Sequence, residues 1–578
     1  METDKRQKIF IGIPASAGIV VGRAFVISDD GDFCPVRREI DKGDTKKEIQ
    51  RYRDALTETK KEMSELKIGI TKTLGKDYAR LAEAYQQILA DPLIVRDVPA
   101  RISEGINAEY ALYIVLDKVI KSFDMIPDPY FKDRKNDIED LANKIMSHLM
   151  GRAKRPLSEI GDDSIVIAKN ISPNDTVTMQ EKRALGFVTE GGGKTSHISI
   201  LAQTLEIPAV VGVIGILAFV NDGDIVVIDG VSGRVIINPD EELIANYRAA
   251  RARFVTAERE FEKIRDLPAQ TLDGKRIELS ANFDNLQELP FILNAGAEGI
   301  GLFRTEYLYI GRSDLPVEEE LFDNYSKIAE KMLPYGVIVR TLDIGGDKVP
   351  DPMLRTGKEC PTFLGLRAIR LCLKFPHIFR PQLRAILRAS AFGKIKILFP
   401  MISDIREFLE AKKIVEEIKD ELDKEGLPYD RNIETGAMVE VPSAAMTCDF
   451  IAREADFVSV GTNDLIQYMM AVDRTDENVA FLYDPSHPAI LRMLKNIVEA
   501  SHKAGIWVGM CGEMASDHNY TGLLVGMGFD EFSVPASAIG KIKKTIRSVN
   551  YADMSRKVTE ILALDDPEKI KKELKRLV

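Results

Sequence analysis

Between residues 268 and 578 eight short apolar runs alternate with helical stretches, at Ile277–Phe283, Gly299–Phe303, Val337–Leu342, Ile395–Phe399, Gly436–Val439, Phe457–Val460, Trp507–Met510 and Glu531–Val534. No other feature narrows the folding options of the chain as far. A continuous apolar run reads as a strand buried on both faces, and strands that each hand over to a helix build parallel sheets. Eight such units over this length predict a closed (β/α)8 barrel of the TIM type. Barrels of this kind carry their chemistry at the C-terminal strand ends, so the residues just past each run define a candidate site.

Those ends are polar. Arg304 follows the second run, Arg340 and Asp343 lie in and beside the third, and Glu440 follows the fifth. Asn463 and Asp464 follow the sixth, Cys511 follows the seventh, and Arg474 lies ten residues past Asp464. Several arginines suit bidentate capture of phosphate and carboxylate. Two carboxylates suit Mg²⁺, a hard cation that takes oxygen ligands and keeps some of its waters. A single arginine here would be an ordinary surface ion pair; their joint placement at successive strand ends points to a small substrate with one phosphate and one carboxylate. Cys511, in Gly509-Met510-Cys511-Gly512-Glu513, reads first as a small buried hydrophobe. If its neighbours form the site, its thiol becomes a candidate proton donor to a developing carbanion.

Upstream of the barrel the pattern changes twice. Short strands around glycines occupy residues 9–28, helical patterns run from about 35 to 150, and strands return at Ile165-Val166-Ile167-Ala168 and continue to the hairpin 224–228/234–237. Strands, then helices, then strands again describe an insertion. The expected organisation is an α/β domain of residues 1–34 and 150–239, an inserted helical domain of 35–149, a helical linker of 240–267, and the barrel of 268–578. Thr45-x-x-Glu48 reads as a capping box, followed by Ile49, Tyr52, Leu56, Met63 and Leu66 on one helical face. In the linker, Leu243, Tyr247, Ala250, Phe254, Ala257, Phe261 and Ile264 make an apolar seam. That seam fits either packing on a neighbouring domain or a hinge-bearing connector.

The α/β domain carries Glu190-Gly191-Gly192-Gly193-Lys194-Thr195-Ser196-His197, where a strand gives way to an apolar-patterned helix. Unpaired backbone amides at a helix start stabilise an anion, so a histidine there can accept a phosphoryl group; a packed histidine after a glycine turn is the plain alternative. His148, His377, His487, His502 and His518 have no such setting. A formal net charge of −11 argues against nucleic acid as a partner, and no apolar window approaches membrane-spanning length. Five scattered cysteines without CxxC spacing indicate free thiols in a reducing compartment, hence a cytoplasmic protein.

With these residues in view the chain resembles the enzyme I family of the bacterial phosphoenolpyruvate–sugar phosphotransferase system, essentially end to end. The matching runs include Thr195-Ser196-His197, Gly299 to Glu306, Val339 to Lys348, Phe363 to Arg370, Met438-Val439-Glu440, Ser459 to Leu465 and Gly509 to Glu513. The resemblance implies that His197 takes the phosphoryl group of phosphoenolpyruvate at Nε2 and passes it to the histidine carrier HPr. It implies that Glu440 and Asp464 hold Mg²⁺, that Arg304, Arg340, Asn463, Asp464 and Arg474 surround phosphoenolpyruvate, and that Lys348 and Arg367 assist. It makes Cys511 the acid that protonates the enolate and Thr176 the hydroxyl that positions the histidine. The helical insertion becomes the carrier-docking domain, with Arg134 near its end, and a homodimer through the barrel is expected. A histidine that must visit both the barrel and a carrier implies a swivelling domain with hinges near residues 230–268 and at the junctions of the insertion.

Three departures from the family pattern stand out. Lys194 replaces an arginine, Ala202-Gln203 replaces Ala-Arg, and residues 35–150 hold 21 basic against 21 acidic side chains, so the docking domain is not acidic. Two other functions fit the chemistry less well. A pyruvate-phosphate dikinase or phosphoenolpyruvate synthase would need a nucleotide-grasping stretch ahead of the histidine domain, and none is apparent. A non-catalytic phosphoenolpyruvate sensor would be expected to have lost a residue of the central set, and none is missing.

Overall fold

The structure is a computed structural model that describes residues 7–27, 36–41, 43–74, 89, 93–124, 141–142, 145–146, 148–150, 159–161, 163–171, 175, 178–179, 182–192, 202, 207–310, 312, 314–345, 364–474, 476 and 478–577. The chain divides into two compact units, residues 1–256 and 257–578.

The first unit is built on an eight-stranded mixed sheet of β1 (Lys8–Ile11), β2 (Ile13–Ser16), β3 (Ile19–Ile27), β4 (Ser164–Ala168), β5 (Gly186–Thr189), β6 (Ala209–Val211), β7 (Ile225–Asp229) and β8 (Arg234–Ile237), in the order β1-β8-β7-β3-β4-β5-β6-β2. β3 lies between β7 and β4, so strands from before and after the helical segment share one sheet. Period-two alternation sends Ile165 and Ile167 into one apolar cluster and Val166 and Ala168 into another, which covers both faces of the sheet.

Between β3 and β4 lie helices at Thr45–Leu74, Val98–Ser103 and Ala108–Asp124, packed around Tyr52, Leu56, Ile94, Ile102, Leu112 and Leu116. The capping box expected at Thr45 does not form. Thr45 is already inside the helix, and Glu48 Oε1 instead accepts from the Ala108 amide at 2.9 Å and from Arg51 Nη2 at 2.6 Å. The carboxylate therefore caps a neighbouring helix, where the positive end of that helix's dipole favours it. In the linker helix, Glu241–Ile264, none of the seam residues is buried; near its end Phe261 lies against Gly540 and Glu260 pairs with Lys544.

The second unit is a closed barrel of eight parallel strands: β9 (Glu278–Phe283), β10 (Gly299–Arg304), β11 (Gly336–Arg340), β12 (Lys394–Phe399), β13 (Thr435–Val439), β14 (Phe457–Val460), β15 (Trp507–Met510) and β16 (Glu531–Val534). Every apolar run read from the sequence is one of these strands. The third ends at Arg340, two residues earlier than expected, because the Leu342 amide donates to Gln382 Oε1 at 3.0 Å and the Asp343 amide to Glu306 Oε1 at 3.0 Å. Asp343 thus stands in the loop past the strand. Outward side chains such as Val339, Ile397, Val439 and Val460 join the large core beneath the helices, while Leu302, Ile338, Leu398, Met438 and Phe457 form a separate cluster inside the barrel.

Candidate active site

The C-terminal end of β11 starts the site. Arg340 donates through Nη2 to Glu306 Oε1 at 2.9 Å and pairs through Nη1 with Asp343 Oδ2 at 3.1 Å. The other oxygen of Asp343 accepts from Arg367 Nη2 at 2.8 Å and Nε at 3.2 Å. Arg367 then reaches Asp464 Oδ2 at 3.4 Å and the Tyr468 hydroxyl at 3.3 Å. Burial opposes the charge on Asp343, yet Arg340 and Arg367 beside it hold its carboxyl below the usual range. Burial likewise opposes the charge on Arg340, and Glu306, Asp343 and Glu440 more than offset it. Its Nε is buried with no hydrogen-bond partner among the described residues, a donor left for something else to satisfy.

A buried amide holds this array in place. Gln382 accepts from Leu342 N and donates through Nε2 to Thr305 Oγ1 at 3.0 Å, and Thr305 donates in turn to the Arg340 carbonyl at 3.0 Å. Fixing Thr305 and Leu342 fixes the loop that aims both Arg340 and Asp343.

Glu440 follows β13 and is 2% exposed. Its Oε1 accepts from the Met401 amide at 2.6 Å, and Met401 adopts a left-handed φ of 59° beside it, a conformation that costs a side-chain-bearing residue about 1 kcal/mol or more. Burial pushes the Glu440 carboxyl well above the usual range, and the nearby Asp343 and Asp464 push it further, with Arg340 opposing. A buried carboxylate beside two others is an excess of negative charge that a divalent cation would relieve. The donors are all oxygen, which fits Mg²⁺. Among the described residues no three His, Cys, Asp or Glu side chains form a ready-made metal cluster. Two carboxylates supplemented by waters and substrate oxygens are a usual Mg²⁺ arrangement, so the residues present fit the ion.

Cys511 stands just past β15 and is 3% exposed, with Sγ 3.6 Å from the Val460 carbonyl. Burial, helped by Glu440 and Glu531, pushes its thiol up to about 12 against the opposing pull of Ser459 and Arg340. The sulfur therefore keeps its proton at neutral pH.

The remaining rim residues have local partners. Arg304, the last residue of β10, donates through Nη1 to Asp284 Oδ1 at 3.0 Å. Asn463 exchanges two hydrogen bonds with Glu513, donating from Nδ2 to Oε1 at 2.9 Å and accepting from its amide at 2.8 Å. The Tyr483 phenol lies within the influence of Arg474, Glu513 and Asp464 together, which places Arg474 on the same rim. Arg340, Arg367, Glu440, Asp464 and Cys511 thus gather around one end of the barrel, with Arg304, Asn463 and Arg474 at its margin.

His197, Thr176 and Lys348 lie outside the described residues, as do Lys194, Gln203 and Arg134. The approach to the histidine is described as far as Gly192. Glu190 Oε1 accepts from the Leu217 amide at 3.0 Å, a side chain on Gly191 would collide with Asn170, and Gly192 takes a φ of 99°, so this turn requires its glycines.

Sequence reasoning missed Glu306, Gln382 and Tyr468. Gln382 left a signal: an amide amid Ile378, Phe379, Leu383 and Ile386 on the apolar face of the helix Pro376–Ala389. Such a residue in a core needs partners on neighbouring elements. Nothing local marks Glu306 or Tyr468, whose roles arise from loops that meet only in the fold.

Three family models match the chain: PEP-utilising enzyme, N-terminal, over residues 11–134; PEP-utilising enzyme, mobile domain, over 160–233; and PEP-utilising enzyme, PEP-binding domain, over 258–551. The chain is 44% identical to a phosphoenolpyruvate-protein phosphotransferase of Staphylococcus carnosus over 545 residues, covering 94% of each chain. A protein of the same name from Geobacillus stearothermophilus is 42% identical over 572 residues, covering 99% of this chain and 98% of its own. A solved structure of an enzyme I protein (nEIt) shows 34% identity over 42% of this chain and 99% of its own, at a TM-score of 0.37.

Proposed function

The chain belongs to the phosphoenolpyruvate-protein phosphotransferase (enzyme I) family, and on that premise we propose how its residues divide the reaction. Phosphoenolpyruvate gives its phosphoryl group to the neutral imidazole of His197 at Nε2, pyruvate leaves, and the phosphohistidine passes the group to HPr as the first step of sugar uptake. Arg304, Arg340, Asn463 and Arg474 bind the phosphate and carboxylate of phosphoenolpyruvate, with Lys348 and Arg367 assisting and Thr176 positioning the histidine. The single observation that supports this most strongly is the buried rim where Arg340, with a spare Nε–H, lies beside Glu440 and a protonated Cys511, with Asp464 near Glu440.

Glu440 and Asp464 are the residues that would hold Mg²⁺, which when bound neutralises phosphate charge. Arginines anchored by Asp343, Glu306 and Asp284 are already oriented, so little reorganisation accompanies charge development on the substrate. Release of the phosphoryl group leaves an enolate. The Cys511 thiol gives its proton to the methylene carbon, the S–H bond breaks, and pyruvate and a thiolate result. Because neutral imidazole is the nucleophile, phosphorylation fades as acid protonates the ring. We place the protein in the cytoplasm as a homodimer through the barrel. No described helix is long and apolar enough to cross a membrane, and the described cysteines are free and buried, which suits a reducing compartment.

The substitution Cys511→Ala tests the division of roles. Pyruvate formation is expected to fall by about 100-fold or more while phosphoenolpyruvate still binds. Formation at the parental rate would remove Cys511 from the reaction.

A further inference from the structure

TIM barrels fill their interior with layers of branched apolar side chains. The interior here is divided. Leu302, Ile338, Leu398, Met438 and Phe457 make an apolar side, whereas inward positions of β9, β14 and β16 carry Glu278, Ser280, Asn282, Ser459, Glu531 and Ser533. Register draws these together: Glu531 pairs with Glu278 on one side and Gly509 on the other, Ser533 with Ser280, and Gly509 with Ser459. Ser533 Oγ lies 2.7 Å from Asn282 Oδ1.

Glu531 is the centre of this polar seam. Its carboxylate occupies the room that two glycines leave, since a Cβ on Gly301 would overlap Oε1 and one on Gly509 would overlap Oε2. Gly509 precedes Cys511 by two residues on the same strand, so the carboxylate lies one inward layer below the thiol. The residue is 2% exposed, and neither carboxylate oxygen has a well-formed hydrogen bond among the described residues, although the Ser280 hydroxyl lies beside it. Such a group is costly to bury and is absent from the reaction described above. The charged groups facing it are Glu278 on β9 and Lys396 on β12, the latter held by Glu434 at 2.6 Å, with Cys511 above. Glu278, the first residue of β9, reaches solvent at the N-terminal end of the barrel, although its carboxyl is crowded enough there that burial raises it too.

We propose that Glu531 recharges Cys511 by way of the Ser459 hydroxyl, which lies beside the thiol on the neighbouring strand: the neutral Glu531 carboxyl returns a proton through that hydroxyl to the thiolate left by enolate protonation, and is itself reprotonated from solvent past Glu278. This rests on the reading of Cys511 as the enolate's acid. In each cycle an S–H bond breaks as the C–H bond forms, then an O–H bond breaks as the S–H bond is restored, and one solvent proton ends in the methyl group of pyruvate. Burial raises both groups, the Cys511 thiol further than the Glu531 carboxyl, so the carboxyl is the stronger acid and the direction of transfer is towards sulfur. Glu531 acts through Cys511 and touches no reacting atom.

The test compares the full-length parent with Glu531→Gln, given phosphoenolpyruvate, Mg²⁺ and HPr in a rapid-quench experiment. The variant is expected to form its first equivalent of pyruvate at the parental rate, then slow by about tenfold or more in later turnovers. Unchanged later turnovers overturn the proposal, and so does loss of the first turnover in a folded variant. Should the variant not fold, infrared spectra of the parent decide: an ionised Glu531 at neutral pH overturns the proposal, and a carboxylic-acid band upholds the neutral donor. Failure of the underlying reading looks different, because pyruvate formation is then indifferent to Cys511→Ala.

Discussion

Glu531 and Asp343 are both buried carboxyl groups, and their surroundings drive them apart. Asp343 sits between two guanidinium groups and stays ionised, while at Glu531 burial and the neighbouring Glu278 outweigh the Ser280 hydroxyl and Lys396 and favour the neutral acid. The difference has a thermodynamic consequence. The Glu531 carboxyl binds its proton more tightly in the folded chain, at about 8 against an ordinary value of 4.5. Its contribution to stability is therefore complete below the unfolded value and is lost as pH rises towards 8. Glutamine in its place removes the titration. Urea unfolding of the barrel at pH 5 and pH 8 is expected to show the parent losing stability between the two relative to Glu531→Gln. Equal losses in both proteins would mean that the carboxyl is not held neutral.

At the scale of elements, the loops beyond β13, β14 and β15 are pressed against one another, and glycines make the approach possible. A Cβ on Gly461, just past β14, would lie 2.5 Å from Glu440 Oε2, and one on Gly512 would overlap the Thr462 hydroxyl. Gly461→Ala must therefore displace a proposed metal-holding carboxylate without removing it. The Mg²⁺ concentration for half-maximal pyruvate formation is expected to rise by about 10–100-fold, the usual effect of disturbing a ligand's support. An unchanged requirement would separate Glu440 from the metal. The same elements show why the strands were legible in the sequence and their connections less so. Each barrel strand is covered by helices outside and side chains inside, which leaves a continuous apolar run to read. Loop geometry depends on distant partners. The early end of β11 is set by Gln382, 40 residues away from Leu342, and Glu48 forgoes its own helix start to cap one beginning at Ala108. The polar seam escaped notice for a related reason: Glu531, Ser533 and Ser280 look like ordinary members of strands until closure of the barrel turns them inward together.

At the scale of the molecule, residues 1–256 carry the histidine and residues 257–578 carry the rim that would bind phosphoenolpyruvate. One imidazole nitrogen cannot face the barrel and a separate carrier at the same time, so the account requires the histidine domain to move between two stations. In this account rim and motion both serve a phosphoryl group that rests on one side chain. The direct measurement is to incubate the protein with ³²P-labelled phosphoenolpyruvate and Mg²⁺, digest it, and map the label. The account predicts one acid-labile phosphate per chain, on His197, discharged when HPr is added. Label on any other residue, or none at all with metal and donor present, would contradict it.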